Sequence, residues 1–81
     1  MLRYSKHARR RMVSRRITAD EAEEAWSARQ VAVREPARPP HPGEVVVIRS
    51  MLASGRRLKL VVRAEDERFV ITLADQDEED Q

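Results

Sequence analysis

The sequence predicts an α+β domain in which two N-terminal helices pack on one face of a three- to four-stranded antiparallel sheet. Three observations predict this fold. The N-terminal third of the chain repeats apolar side chains at helical spacing, the rest alternates apolar and polar side chains as strands do, and the two regions do not intermix. With 81 residues the chain suffices for one small domain with a thin core, which we assign to residues 1–74. The acidic residues 75–81 are predicted to form a disordered tail.

The first predicted helix begins after Ser5, which is placed to cap its N-terminus. Its narrow apolar stripe consists of Tyr4, Ala8 and Met12. Because successive helical residues are about 100° apart, His7, Arg11 and Arg15 lie along one edge of that stripe. Packing is expected to hold part of the Arg11 and Arg15 side chains. The other arginines of the segment point away from the stripe and are expected to be solvated charges: Arg9, Arg10 and Arg16.

The second predicted helix begins after Thr18, whose spacing from Glu21 is that of a capping box. Trp26 lies on its apolar face and is predicted to anchor the helix to the rest of the domain. A weakly alternating stretch follows the helix and predicts a short edge strand that ends at Pro36. The next segment, residues 36–43, is rich in proline and is interpreted as a stiff loop, in which His41 has no special role.

Three stronger strand candidates follow the loop, at residues 44–52, 56–63 and 68–74. Alternation in the middle strand places Leu58, Leu60 and Val62 on one face and Arg57, Lys59 and Arg63 on the other. The same rule, applied to the last strand, places Phe69, Ile71 and Leu73 opposite Val70 and Thr72. The sheet is therefore expected to present a basic outer face on the side that the helices leave uncovered.

Several classes of function are excluded or disfavoured by composition. The chain has no cysteine and two histidines that are far apart in sequence, so no metal site and no cofactor are predicted. No serine lies in a nucleophile-elbow context and no glycine-rich phosphate loop is present. The absence of cysteine suits a reducing cytoplasm, and the sequence has neither an apolar run that could span a membrane nor the apolar region of a signal peptide. A cytoplasmic protein is therefore predicted.

The most informative feature is the cationic N-terminus, since residues 1–16 contain seven Lys and Arg residues and no acid. A run of arginines on a helix is commonly no more than a solvated face. Solubility would not, however, require three basic groups in register along the edge of an apolar stripe. The guanidinium group matches two phosphate oxygens at once and keeps its charge at physiological pH, so this pattern favours phosphate binding.

The stretch HARRRMVSRRI, followed by TADEAEEAW, resembles the opening of a family of small bacterial domains of unassigned function. That family begins with His-Ala-x-x-Arg-Met-x-x-Arg-x-Ile before a capped second helix, and the likeness covers most of residues 4–74. The sequence departs from the family at Arg16, where glycine is common, in its proline-rich loop and in its acidic tail.

The family in turn resembles the RelE/ParE-like toxin superfamily, which has two helices on an antiparallel sheet and whose RelE-like members cut RNA without a metal. The resemblance implies catalytic roles for His7, Arg11 and Arg15. It also implies contacts to nucleic acid from the strand residues Arg57, Lys59 and Thr72, and we add the exposed Arg10.

These residues suggest a metal-independent ribonuclease in which a ribose 2′-hydroxyl attacks the adjacent phosphate. In this hypothesis His7 is the general acid and base, because imidazole both accepts and releases protons near neutral pH. Arg11 and Arg15 would stabilise the charge that develops on phosphorus. One geometric condition must hold: a helix and the outer face of a sheet line one pocket only when the helix packs near an edge of the sheet.

Two alternatives keep the fold and dispense with catalysis. The domain could be a module that binds nucleic acid or an acidic protein through the same cationic helix. It could also be one component of a toxin–antitoxin pair, with its groove occupied by a segment of the antitoxin. Comparing RNA cleavage with RNA binding separates these alternatives from the enzyme.

Overall fold

A computed structural model describes residues 1–79 of the chain, with side chains to residue 77. Within this range the helices are α1 (Lys6–Arg15), α2 (Ala19–Ala28) and the single turn α3 (Gln76–Glu79). The strands are β1 (Arg3–Tyr4), β2 (Val31–Pro36), β3 (Glu44–Met51), β4 (Arg57–Arg63) and β5 (Phe69–Asp75). The predicted edge strand and the three stronger strands are therefore present, each within one residue of its predicted bounds.

The strands form one five-stranded mixed sheet in the order β1-β5-β4-β3-β2. The prediction of a three- to four-stranded antiparallel sheet is therefore wrong, although the α+β class stands. The additional strand, β1, runs parallel to β5. The amide of Arg3 donates to the carbonyl of Arg68 at 2.8 Å, and that of Ser5 donates to Val70 at 3.0 Å. Two residues are too few to show a periodic pattern, which is why the sequence did not reveal this strand.

The helices cover one face of the sheet, with α2 against β3 and β4 and α1 against β5. The predicted alternation in β4 is confirmed, since Leu58, Leu60 and Val62 are fully buried in the core. Trp26 packs against this core, and its indole Nε1 donates to the carbonyl of Glu67 at 2.9 Å, as expected of an anchor. The core is thin, as the length of the chain requires.

Both predicted helix caps are confirmed. The Ser5 hydroxyl accepts from the amide of Ala8 at 3.0 Å, and the capping box of α2 has both of its hydrogen bonds between Thr18 and Glu21. The capping hydroxyls satisfy amides that the first turn of a helix leaves without an internal partner. These short-range signals fixed the start of each helix to the residue.

The predicted alternation along β5 is wrong, because the strand contains a β-bulge. Val61 of β4 pairs with Thr72, whereas Val62 pairs with Val70, so Ile71 is the extra residue. The extra residue puts Val70 and Leu73 on the same, buried face although they are three positions apart. Thr72 thereby remains on the outer face.

The segment predicted to be a disordered tail begins inside the fold, because Asp75 is the last residue of β5 and Gln76–Glu79 form α3. Both acceptor oxygens of Asp75 receive hydrogen bonds from Arg56, which holds the end of the strand. Residues 80 and 81 lie outside the described residues, so the disorder predicted for the tail stays a prediction.

Arg16 terminates α1 in the left-handed conformation, with φ of 55°. A side chain is strained there, whereas glycine is not. We expect Arg16→Gly to raise the free energy of unfolding by about 0.5–1 kcal/mol, measured by urea denaturation.

Arg29 also has a positive φ, of 38°, but its guanidinium stacks on Trp26 at 3.8 Å. Arg29→Gly is therefore the control and should lower stability; a loss of stability in Arg16→Gly would contradict the assignment of strain.

Candidate functional site

A groove of about 660 Å³ lies on the outer face of the sheet, opposite the core. Its floor is the outward-facing side of β4, including Lys59, Val61 and Arg63. One wall is the start of α1, and the other is the loop of residues 37–43 that joins β2 to β3. Its volume lies within the range of about 300–1,000 Å³ that is typical of small-molecule sites.

The α1 wall exists because the helix begins at the edge of the sheet beside β5. The Ser5 hydroxyl caps α1 and also donates to the carbonyl of Ile71, the bulge residue, at 2.6 Å. This contact fixes the first turn of α1 at the rim of the outer face. His7 and Arg11 consequently line the groove together with β4 and β5. The geometric condition for a shared pocket is met.

The loop wall is the proline-rich segment. Its ends are joined by a hydrogen bond from the amide of Ala37 to the carbonyl of Gly43 at 3.0 Å, and an inner turn joins His41 to Arg38 at 3.0 Å. Val47 lies on the outer face, away from the helix-covered core, yet only 4% of its surface is exposed. Val47 and His41 line the same groove, so the loop side of the floor is sheltered from solvent.

The groove contains more cationic than anionic side chains. Its cations are Arg11, Arg38, Lys59 and Arg63, and its carboxylates are Glu35, Glu44 and Glu65. The guanidinium of Arg63 lies over the ring of Phe69, 4.0 Å from its centroid, which limits the freedom of that cation. The carboxylates lie at the ends of the loop and after β4, so the floor and the α1 wall are cationic.

Four of the residues predicted to form the site come together in this groove: His7, Arg11, Lys59 and Thr72. The predicted division of the arginines on α1 is also confirmed, because Arg11 and Arg15 are half-buried whereas the others are exposed. Arg10 is exposed and lies outside the groove. Arg57 is also outside it and forms an ion pair with Asp77.

Arg15 is not brought into the groove. Arg11 and Arg15 are one turn apart, about 6 Å along the axis, and the last turn of α1 extends beyond the groove. Arg15 instead lies close to the Asp75 carboxyl. The pKa of that carboxyl is lowered chiefly by hydrogen bonds from Arg56 and also by the charge of Arg15.

Arg56 organises a cluster that the sequence did not reveal. Its guanidinium donates to Asp75 at 2.7 and 3.0 Å and to Glu21 at 3.0 and 3.1 Å. It also donates to the carbonyls of Arg15 and Arg16, at 2.8 and 3.0 Å, which are among the acceptors that the end of α1 leaves open. The hydrogen bonds to Asp75, and after them those to Glu21, raise the pKa of Arg56 far above its ordinary value. Nothing in the local sequence distinguishes this arginine from Arg57.

The described residues include no group of three or more His, Asp or Glu side chains that could hold a metal ion. None of the described helices combines the length and apolar character needed to cross a membrane.

A family model described as "Domain of unknown function (DUF4258)" matches residues 4–74, and the chain therefore belongs to the DUF4258 family. Membership confirms the expectation of a family of unassigned function that spans most of the chain. No curated protein and no solved structure shows a significant match to the chain.

Proposed function

We propose that this DUF4258 domain binds RNA in the outer-face groove and cleaves it without a metal, as a ribonuclease related to RelE-like toxins. The observation that supports the proposal is the meeting of His7, Arg11 and Lys59 in one groove. The groove therefore contains an imidazole and two cations from different elements. A proton carrier beside phosphate-binding cations is what phosphodiester cleavage requires.

The proposed reaction forms a bond between the 2′-oxygen and phosphorus and breaks the bond between phosphorus and the 5′-oxygen. The 2′-hydroxyl loses its proton to a base, and the departing 5′-oxygen gains a proton from an acid. The products are a 2′,3′-cyclic phosphate and a 5′-hydroxyl, so atoms and charges balance. Negative charge builds up on the phosphorane in the transition state, where preorganised cations are most effective.

The groove residues then have distinct roles. His7 accepts the proton of the 2′-hydroxyl, and Arg11 stabilises the charge on phosphorus. Lys59 on the floor binds the adjacent backbone phosphate, and the hydroxyl of Thr72 donates to a phosphate or sugar oxygen. Exposed cations such as Arg10 attract RNA to the molecule without positioning it.

The proposal is tested by incubating the wild-type protein and His7→Ala with a long RNA in excess EDTA. We expect the wild type to cleave the RNA and to leave 2′,3′-cyclic phosphate ends. Cleavage by His7→Ala should be slower by about 100- to 10,000-fold, since that range is typical of a lost general acid or base. Lys6→Ala is the matched control, because Lys6 is an exposed neighbour on the same helix outside the groove.

Equal cleavage by the wild type and His7→Ala would contradict the assigned role. Binding of RNA by both proteins with no cleavage by either would support a module that binds nucleic acid without catalysis.

The second candidate function is the binding of a protein segment, and one observation favours it. Every residue of β2 is exposed, including Val31 and Val33, and the outer edge of this strand pairs with no other described strand. Such an edge accepts an added strand from a partner, as a toxin-like domain would from an antitoxin. The backbone N–H of Val33 faces β3 in the antiparallel ladder, whereas that of Ala32 faces the open edge. Replacing Ala32 with proline would therefore block strand addition and abolish binding of such a partner, while leaving RNA cleavage unchanged.

A further inference from the structure

We infer that His41 is the general acid of the proposed cleavage reaction, which protonates the departing 5′-oxygen while His7 removes the proton of the 2′-hydroxyl. The inference rests on the proposed function and deepens it. The loop that carries His41 is thereby part of the catalytic site and more than a connection between β2 and β3.

The reaction needs two proton transfers at opposite sides of phosphorus, because the attacking and departing oxygens are in line. One imidazole cannot contact both oxygens in the same transition state. A second group that releases a proton near neutral pH is therefore required for full acceleration. Histidine is the side chain that ordinarily does so, and the chain contains two, His7 and His41.

The structure brings these two histidines, 34 positions apart in sequence, into one groove. His7 belongs to the α1 wall beside β5, whereas His41 belongs to the loop wall on the far side of β4. The cations of the floor, Lys59 and Arg63, lie on the strand between the two walls. A phosphate bound on this floor would have an imidazole on each side.

The positions of the two rings assign their roles. His7 shares the α1 wall with Arg11, the cation proposed to stabilise the charge on phosphorus, whereas His41 lies on the opposite wall. A phosphate between the walls therefore has one imidazole for each of the two proton transfers. An RNA whose departing oxygen is replaced by sulfur distinguishes which ring serves that oxygen.

The test uses a short RNA in which sulfur replaces the departing 5′-oxygen. A thiolate leaves without being protonated, so the modified RNA does not need a general acid. We expect His41→Ala to cleave ordinary RNA about 100- to 10,000-fold more slowly than the wild type. The same variant should cleave the sulfur-containing RNA within a few-fold of the wild-type rate. His7→Ala should be slow on both.

A second variant, His41→Asn, retains a polar side chain that cannot transfer the proton, and it should behave like His41→Ala. Because His41 is exposed, both variants should unfold at the wild-type urea concentration. If His41→Ala cleaves ordinary RNA at the wild-type rate, or is equally slow on both RNAs, the inference is overturned while the proposed function stands. If the wild type cleaves neither RNA, the proposed function fails and this inference fails with it.

Discussion

Arg11→Ala is expected to lower the rate of RNA cleavage at saturating RNA by about 100- to 1,000-fold, the range for loss of one preorganised donor to a developing anion. The arginine is half-buried in the α1 wall, so packing restricts its side chain before RNA binds. Such a group stabilises the transition state more than the bound substrate, because negative charge develops in the transition state. Single-turnover kinetics and filter binding on the same RNA separate its effect on rate from its effect on affinity.

Arg9→Ala is the matched control for Arg11→Ala. Arg9 lies on the same helix, is exposed and is outside the groove. We expect its loss to weaken binding slightly and to flatten the salt dependence of binding, with little change in the rate at saturation. If the two variants have the same rate and the same salt dependence, the cations of α1 act only as a diffuse charge and the proposed site is wrong.

Arg56→Ala is expected to have the largest effect on stability, a loss of about 2–3 kcal/mol in the free energy of unfolding. The side chain is three-quarters buried and bridges Glu21 of α2, Asp75 of β5 and the last carbonyls of α1. Its removal leaves two partly buried carboxylates without their cation and the end of α1 without a donor. Urea denaturation at pH 7 measures the loss.

Arg57→Ala is the control, since the neighbouring arginine is exposed and its ion pair with Asp77 is at the surface. Exposed ion pairs contribute little to stability, so we expect the free energy of unfolding of Arg57→Ala to lie within about 0.5 kcal/mol of the wild-type value. Arg56→Lys should recover only part of the stability, because one ammonium group cannot reproduce the forked contacts of the guanidinium. Equal effects of Arg56→Ala and Arg57→Ala would refute the bridging role.

The contribution of Arg56 to the free energy of unfolding should depend on pH. Its hydrogen bonds are the main cause of the lowered pKa of Asp75, and they help the Thr18 amide to lower that of Glu21. A carboxyl whose pKa is lower in the folded protein stabilises the fold fully above its unfolded pKa, which is about 4. This stabilisation is lost as the pH falls from there through the folded value. The difference between the wild type and Arg56→Ala should therefore be smaller at pH 3 than at pH 7.

Much of the candidate site could be predicted from local pattern. The period of α1 placed His7 and Arg11 on one edge of an apolar stripe, and alternation along β4 placed Lys59 on the outer face. Thr72 remained on the outer face although the pattern predicted for its strand was wrong, because the bulge at Ile71 shifts only the residues before it. Arg15 shows the limit of such reasoning. It lies on the same helical edge as His7 and Arg11, but only the first turns of the helix line the groove.

His41, β1 and Arg56 could not be predicted in the same way. The path of the proline-rich loop decides where His41 lies, and the pairing of β1 with β5 joins residues more than 60 positions apart. The contacts of Arg56 lie 19 to 41 positions away along the chain. Local periodicity in the sequence does not predict contacts between residues that are so far apart along the chain.

The sequence by itself determined the α+β class, the starts of both helices and the faces of β4, because caps and side-chain periodicity are interactions between near neighbours. Only the tertiary structure decided that α1 begins at the rim of the outer face and that a loop forms the opposite wall. The position of α1 depends on a bulge, a parallel strand and a distant arginine, and the loop wall depends on hydrogen bonds that join the two ends of the loop. The energies of these features come from contacts that exist only once the chain has folded.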